Sequence, residues 1–321
     1  MLRPVNLRTD LAPLADLIEL VFSDTMDASG RAALREMRVM SRMGAGLTLL
    51  AKLNDMAVGI SMGLVWIEGG QLVGNVSIYP AHLPHGGGDG WIIANVGVHP
   101  HFQRRGIAKR LMVAALENIH ARGGKRVFLQ VDESNNVALD LYRGLGFVTE
   151  RLFTTYKRLP SLRLPPLEHG VSPYVRQRRR GEWRPEAALA AELRPTEQGG
   201  LGWMRPIVPA LFQPNLRRSL VDLINFRQQN RYVVTDENGK LGASLWVERS
   251  FGLTPRLTLL NPPTLVDLYA DALLATAIRQ FGSGSLILEH PADDESVAAT
   301  FNRFRFMPQR TLIHMRWTPP Q

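Results

Sequence analysis

The chain has 321 residues, a formal net charge of +9, 45% hydrophobic residues and no cysteine. This length allows two domains and a sizeable core. The lack of cysteine excludes disulfides, a cysteine nucleophile and cysteine-based zinc sites. The eight histidines show no ligand spacing, so no metal is expected. Without an apolar run of roughly 20 residues or a signal-peptide core, the sequence predicts a cytoplasmic protein that does not span a membrane.

The first part of the chain predicts a strand, two amphipathic helices and then strands only. Apolar residues recur with helical spacing in two segments and alternate in the others, and turn residues separate the segments. The first predicted strand covers 2–7, and the two helices cover 11–22 and 31–43. The arms of a hairpin cover 47–53 and 58–68, and the next strand covers 71–79.

The next segment runs from an apolar strand, 92–98, through a basic turn into a helix. From Ile107 onward the apolar residues recur at helical spacing, so Gly106 lies at a helix N-terminus. Unpaired amides and the positive end of the helix dipole meet there. Together with Arg104 and Arg105, such amides can hold a diphosphate, and Gly106 has no Cβ to keep phosphate away.

A second strand, 126–131, leads into a capped helix. Asn135 precedes this helix, Tyr142 lies within it, and Gly146 and Phe147 follow it. Considered alone, Asn135 fits an N-cap and Tyr142 fits a core tyrosine with a satisfied hydroxyl.

The two segments together resemble a known family. Gln103 to Ala108 resembles the acyl-CoA phosphate loop of the GNAT superfamily of N-acyltransferases, and Asn135 to Phe147 resembles that family's second conserved block. The resemblance covers roughly the first half of the chain and departs at Ala108, where the family more often has glycine. It implies transfer of an acetyl group from acetyl-CoA to a primary amine by direct attack.

The resemblance also implies roles for individual residues. The strand at 96–98 would splay from its neighbour and pair with the pantetheine arm. The amide near Val96 would serve as an oxyanion hole, Asn135 would bind the pantetheine, and Tyr142 would be the catalytic general acid for the CoA thiolate. The expected cosubstrate-binding residues are Val96, Gly97, Val98, Gln103, Arg104, Arg105, Gly106, Ile107, Ala108, Lys109 and Asn135.

The general base stays open at this point. Deprotonating a lysine-type amine at pH 7 costs about 4.6 kcal/mol, whereas an α-amine costs only about 1 kcal/mol. Some family members carry a glutamate on the strand before the asparagine, where this chain has Gln130, which cannot take a proton. The alternatives are Glu68, Asn95 acting through a water, His99 and Asp132.

A proline-rich stretch at 160–173 predicts a linker between a catalytic domain, 1–159, and a second domain, 174–321. The second domain repeats the first. Residues 257–262 match 95–100 with a shift of 162. Farther on, Asp294, Phe301 and Phe306 lie opposite Asn135, Tyr142 and Phe147, each with a shift of 159. This spacing indicates an internal duplication.

The second copy lacks the residues that would bind the cosubstrate. At the place of the phosphate turn it has Leu265, Asp267 and Leu268, whose bulk and negative charge oppose CoA. Phe301 also lacks the hydroxyl of Tyr142. We therefore expect one acyl-CoA site, with the degenerate C-terminal copy as a scaffold that shapes the acceptor cleft or a homodimer surface.

The order of elements predicts an α/β (α+β) fold of two tandem GNAT-like domains, each a mixed, mostly antiparallel sheet flanked by helices. The loop with Ser23, Asp24 and Asp27 and the loop before Tyr156 would set acceptor specificity. The two aspartates fit a cationic acceptor, and a solvated loop explains them about as well. An alternative function is a non-catalytic protein that binds or senses acyl-CoA. Nucleic-acid binding through the basic cluster 176–180 is a further alternative, but that cluster lacks interleaved aromatics and an accompanying module, so nucleic acid is not expected as a partner.

Overall fold

A computed structural model of the chain describes most of its residues. The described residues are 1–24, 26, 28–42, 60, 62–81, 90–166, 173–215, 227–236, 238–250 and 252–319. Asp27 and the first arm of the predicted hairpin, 47–53, lie outside them. Within these ranges no helix is long and apolar enough to cross a membrane.

The first half contains four helices and six strands in the described residues. In chain order these are β1 (Leu2–Pro4), α1 (Leu7–Phe22), α2 (Ala28–Ser41), β2 (Leu64–Glu68), β3 (Gln71–Pro80), β4 (Gly90–Val98), α3 (Ile107–Ala121), β5 (Arg126–Asp132), α4 (Asn136–Gly144) and β6 (Val148–Arg158). The predicted helix starts after Gly106 and Asn135 are confirmed.

Several element boundaries differ from the prediction, and hydrogen bonds explain two of the differences. Helix α1 begins at Leu7 because the Asn6 side chain caps the N–H of Arg8 and Asp10 accepts the N–H of Asn6, which shortens the predicted first strand. Strand β2 begins only at Leu64, since the N–H of Gly63 closes a turn on the carbonyl of Ile60 at 3.0 Å.

The second half follows the same order. Its elements are β7 (Val175–Gln177), α5 (Trp183–Leu193), α6 (Pro209–Phe212), β8 (Arg227–Thr235), β9 (Leu241–Ser250), β10 (Arg256–Leu260), α7 (Asp271–Phe281), β11 (Leu286–Pro291), α8 (Ala298–Arg303) and β12 (Met307–Trp317). A π-helical turn over Val266–Ala270 leads into α7.

All twelve strands form one sheet in the order β1-β2-β3-β4-β5-β12-β6-β11-β10-β9-β8-β7. Strand β12 of the second half lies between β5 and β6, and β6 pairs with β11. Each half therefore lends its last strand to the other. The described ladders are antiparallel except for β4 with β5 and β10 with β11, which confirms the predicted mixed, mostly antiparallel sheet. The joining of the two halves was not predicted.

The register of the exchanged strands has the symmetry that a duplication requires. On β5 and β12, Asp132 pairs with Leu312. Adding 159 to the first number and subtracting it from the second gives Pro291 and Phe153, which pair on β11 and β6. The same relation turns the Gln130 pair with His314 into the Glu289 pair with Thr155.

Helices cover both faces of the first half. Helices α3 and α4 pack on one face in a core that contains Leu111 and Leu139. Helices α1 and α2 pack on the other face around Leu14 and Met37. Hydrogen bonds fix the described start of the predicted linker to the fold. The guanidinium of buried Arg158 donates to the carbonyls of residues 161 and 163 in the linker and of residue 304 in the second half.

Candidate functional site

Strands β4 and β5 separate soon after they start. Their parallel pairing extends only from Gly90 with Arg126 to Ile92 with Phe128. Beyond Ile92, β5 continues to pair with β12 on its other side, and β4 continues with β3. A gap therefore opens beside residues 93–98, where the sequence predicted a splayed strand.

A bulge on β4 accompanies this gap. The ladder between β3 and β4 skips Asn95 and Val96, and Asn95 has a φ of 51°, a conformation that asparagine tolerates better than most residues. Asn75 Nδ2 donates to the Asn95 carbonyl at 2.9 Å, and Asn95 Nδ2 donates to Ser77 Oγ at 3.3 Å. Val96 thus has no ladder partner on either side and lies at the opening.

The predicted phosphate turn leads from β4 to α3. Gly106 is the N-cap with a φ of 76° and no side-chain cap, and no other atom of the described residues lies within 4 Å of the position that a Cβ would take there. The first amides of α3 have no intrahelical acceptor. Gln103 Nε2 donates to the Val98 carbonyl at 3.1 Å, so this side chain ties the turn to the end of the splayed strand. The surface over Gly106 is open to a ligand.

Basic side chains surround the turn. Arg104, Arg105 and Lys109 are exposed. The Arg105 guanidinium, 54% exposed, lies 2.9 Å from Glu68 Oε1, an ion pair that contributes little in solvent. The sequence reasoning missed Arg110, which lies 5.5 Å from the Trp66 ring centroid. Arg110 follows Gly106 by four residues, about one helical turn, so the sequence could have indicated that its side chain lies near the turn.

The second predicted block lies at the start of α4. Asn135 Oδ1 accepts the N–H of Ala138 at 3.1 Å, which leaves Nδ2 as a donor. The Tyr142 side chain is 6% exposed, and burial raises the pKa of Tyr142 to about 12. Among the described residues nothing hydrogen-bonds its hydroxyl. Tyr142 therefore keeps its proton at neutral pH and can donate it to a ligand.

A cavity of about 350 Å³ reaches the bulge from the side of α1 and α2. Its walls are mostly apolar, with Phe22, Met26 and Met37 among them, and Asn95 and Arg310 add polar groups. Arg310 belongs to β12, the strand that the second half inserts. The cavity therefore reaches Asn95 on the side of α1 and α2, next to Val96 at the strand gap.

The candidate bases are scattered over the site. Glu68 pairs with Arg105 at the phosphate turn. His99 lines a different cavity, beside α1. Asp132 Oδ1 accepts from the N–H and Oγ of Ser134 at 3.0 and 2.6 Å. Of these four candidates, only Asn95 lines the cavity at the bulge.

Gln130 contacts a histidine that the sequence reasoning missed. Its Nε2 lies 2.9 Å from His314 Nε2. His314 is 2% exposed and stacks on Phe153, and burial lowers its pKa to about 4. No local pattern could have indicated this contact, because it depends on the strand exchange.

In the second half, the corresponding gap is filled. Strands β10 and β11 pair at only two positions, and beyond these Arg194 bridges them. Its Nη2 donates to the Leu259 carbonyl at 3.2 Å and to His290 Nδ1 at 3.0 Å, and His290 Nε2 donates to Asp294 at 2.8 Å. Burial lowers the pKa of Arg194 to about 9 and, with Arg194 nearby, that of His290 to about 4.

The turn of the second half also differs. A π-helical turn with no glycine occupies the place of the phosphate turn. There Asp267 accepts a hydrogen bond from Thr300 at 3.3 Å. Farther along, Asp271 forms an ion pair with Arg303 at 2.6 Å.

The basic cluster at 176–180 is partly neutralised within the chain. Arg176 forms two hydrogen bonds to Glu182, at 2.6 and 2.8 Å. Arg178 lies 3.3 Å from Glu186. Two of its four arginines are thus paired with carboxylates.

Sequence comparison finds similarity to acetyltransferases. Residues 35–147 match the model of the acetyltransferase (GNAT) family. A [ribosomal protein bS18]-alanine N-acetyltransferase of Haemophilus ducreyi is 36% identical over 66 residues, 21% of this chain and 46% of that protein. A mycothiol acetyltransferase of Streptosporangium roseum is 41% identical over 63 residues, 20% of this chain and 19% of that protein. The matches thus span less than half of either relative.

Solved structures share the fold of the whole chain. A GCN5-related N-acetyltransferase from Sphaerobacter thermophilus has a TM-score of 0.61 at 15% identity, over 100% of this chain and 96% of that one. A tandem GNAT protein from the clavulanic acid biosynthesis pathway has a TM-score of 0.53 at 16% identity, over 100% and 99%. At such identities the likeness concerns the fold alone.

Proposed function

Because residues 35–147 match the model of the GNAT acetyltransferase family, we propose that the chain is an acetyl-CoA-dependent N-acetyltransferase that acts on a primary amine by direct attack. The observation that carries this proposal is the arrangement of three features along β4. The strand gap lies beside Val96, Asn95 at the bulge lines the cavity beside α1 and α2, and the open turn at Gly106 follows the end of the same strand.

The residues around the gap fit acetyl-CoA. The amides at the start of α3, with Arg104 and Arg105, bind the diphosphate. The edge of β4 at Gly97 and Val98, which has no partner on the β5 side, pairs with the pantetheine arm. Asn135 Nδ2 donates to a pantetheine carbonyl while its Oδ1 keeps the helix cap.

The transfer takes place at the bulge. The amine nitrogen attacks the thioester carbonyl carbon, and the Val96 N–H stabilises the oxyanion that forms. The C–S bond then breaks, the acetyl group stays on nitrogen, and the sulfur leaves as a thiolate. Tyr142, which the sequence predicts as the general acid, donates a hydrogen bond to that sulfur. With a pKa of about 12, against about 8.5 for an ordinary thiol, Tyr142 stabilises the departing thiolate without giving up its proton.

The amine loses its proton to a water on the cavity side of the bulge. Asn95 lines the cavity, and buried Asn75 Oδ1, behind it, has no hydrogen-bond partner within the described part of the chain. A water bound by these amides can carry the proton to solvent. Such a relay suffices for an α-amine, whose deprotonation at pH 7 costs only about 1 kcal/mol.

The test is a binding measurement paired with a turnover measurement. Calorimetry should show one acetyl-CoA bound per chain, and a thiol assay with amines, amino acids and peptides should show CoA release with at least one acceptor. Tyr142→Phe is the matched control, because it keeps the ring and removes only the donor. Binding of acetyl-CoA without CoA release for any acceptor would contradict transfer and favour the acyl-CoA-sensing alternative.

A further inference from the structure

Arg310 is the charged residue among the described residues that line the cavity at the bulge. It lies on β12 near the start of that strand, is exposed, and lines the cavity opposite the apolar residues of α1 and α2. Among the described residues its guanidinium has no hydrogen-bond or ion-pair partner. The second half thus inserts an unneutralised positive charge into a cavity built by the first half.

The counterpart of Arg310 under the shift of 159 is used differently. Arg151 is 12% exposed, and its Nε lies 3.0 Å from Asp293. This position of the repeat therefore holds an arginine with an ion-pair partner in the first half and, in the second half, an arginine without one among the described residues. The ion pair explains Arg151, whereas no such pair in the described residues explains Arg310.

The acidic residues that favoured a cationic acceptor do not offset this charge. Asp24 is exposed, accepts a hydrogen bond from Ser23 and does not line the cavity. Asp27 lies outside the described residues. Of the cavity's described lining residues, the one with a full charge is Arg310.

We propose that Arg310 is a specificity-determining residue that binds the carboxylate of the acceptor. The acceptor is then a small amine with a carboxylate and an apolar body, the chemistry of an apolar amino acid. Its body packs against Phe22, Met26 and Met37, and its amine faces Asn95. This inference rests on the proposed function, because it takes the cavity as the acceptor site.

Physical chemistry favours a carboxylate here. A guanidinium presents parallel N–H donors that match a carboxylate, and this bidentate geometry is the strong form of the pair. A volume of about 350 Å³ is at the lower end of the range for small-ligand sites. An acceptor with a neutral carboxamide cannot form the ion pair with Arg310.

The experiment uses matched carboxylate and carboxamide probes on the full chain. Acceptors are L-leucine, L-methionine and L-phenylalanine, each compared with its amide in the thiol assay with acetyl-CoA as the donor. Non-reactive probes are 4-methylpentanoate and 3-phenylpropionate, each compared with its amide by calorimetry on the chain with CoA bound. The variants are Arg310→Gln and Arg310→Lys, with Arg279→Gln as control because it removes one exposed charge from the last turn of α7.

We expect the wild type to prefer carboxylates over amides by about 10-fold in the affinity for the non-reactive probes and in kcat/KM expressed per unprotonated amine, because the amine of an amino acid is more basic than that of its amide. Arg310→Gln should abolish this preference mainly through KM, Arg310→Lys should restore part of it, and Arg279→Gln should leave it unchanged. Folding is checked by the acetyl-CoA affinity of each variant, which should not change.

Each other outcome decides between the two proposals. CoA release without a preference for carboxylates, or with a preference that survives Arg310→Gln, would overturn the role of Arg310 and leave the transferase standing. Binding of the carboxylate probes through Arg310, with no CoA release for any acceptor, would support the carboxylate site and overturn the transferase. If the wild type neither prefers carboxylate probes nor releases CoA with any acceptor, both proposals are overturned.

Discussion

Each half of the sheet has one parallel strand pair that separates after two or three positions, and the two gaps differ in what fills them. Between β4 and β5 no side chain in the described residues bridges the strands, and the turn beyond is capped by Gly106. Between β10 and β11 the guanidinium of Arg194 bridges Leu259 and His290. The comparison teaches that the fold maintains the gap whether or not a ligand uses it, and that a few side chains decide its use.

The phosphate turn should give the largest difference between the halves. Arg105→Glu should weaken acetyl-CoA binding by at least about 100-fold, because a carboxylate would face both the diphosphate and Glu68. Asp267→Asn, at the matched place in the second half, should leave affinity unchanged. Calorimetry measures both. Affinity within about threefold of wild type for Arg105→Glu would place the diphosphate elsewhere.

The tyrosine should come next. Tyr142→Phe should lower kcat by about 100-fold and leave acetyl-CoA affinity nearly unchanged, since only the donor to the leaving sulfur is lost. Steady-state kinetics and calorimetry separate the two effects. Because the pKa of Tyr142 is about 12, wild-type activity should not decline through Tyr142 ionisation in the neutral range. A basic limb below pH ~9 that disappears in Tyr142→Phe would contradict this role.

Replacing Arg194, which fills the gap between β10 and β11, should affect stability rather than acetyl-CoA binding. Arg194→Met should lower the free energy of unfolding by about 2 kcal/mol, because the Leu259 carbonyl and His290 lose a buried donor. Urea unfolding measures this change. The variant should still bind one acetyl-CoA per chain, since the turn at Asp267 remains closed to phosphate. A second bound equivalent would show that Arg194 alone blocks the second copy.

The smallest effect concerns pH. His314 has a pKa of about 4 in the fold and near 6.5 when unfolded, so the unfolded chain binds the proton first and stability falls as pH drops below 6.5. Between about pH 6 and pH 5 this costs about 1 kcal/mol. His314→Gln should remove that part of the loss, measured by urea unfolding at both pH values. An unchanged pH dependence would mean that His314 is not buried as a neutral group.

Much of the first-half site could be predicted because its signals are local. The helix starts after Gly106 and Asn135 follow from a glycine and an asparagine beside regular apolar spacing. The repeat follows from matched spacing alone. The roles of the individual site residues remain predictions that the variants above test.

The sequence by itself determined the elements, the family resemblance and the duplication, since each depends on residues close together in the chain. Only the tertiary structure decided that β12 pairs with β5, that Arg194 bridges the second gap and that Arg310 lines the cavity of the first half. These placements depend on which strands become neighbours in the sheet. The free energy that selects those neighbours comes from pairing and burial between residues far apart in the chain, 65 positions for Arg194 and Leu259 and 184 for Gln130 and His314, which no local pattern records.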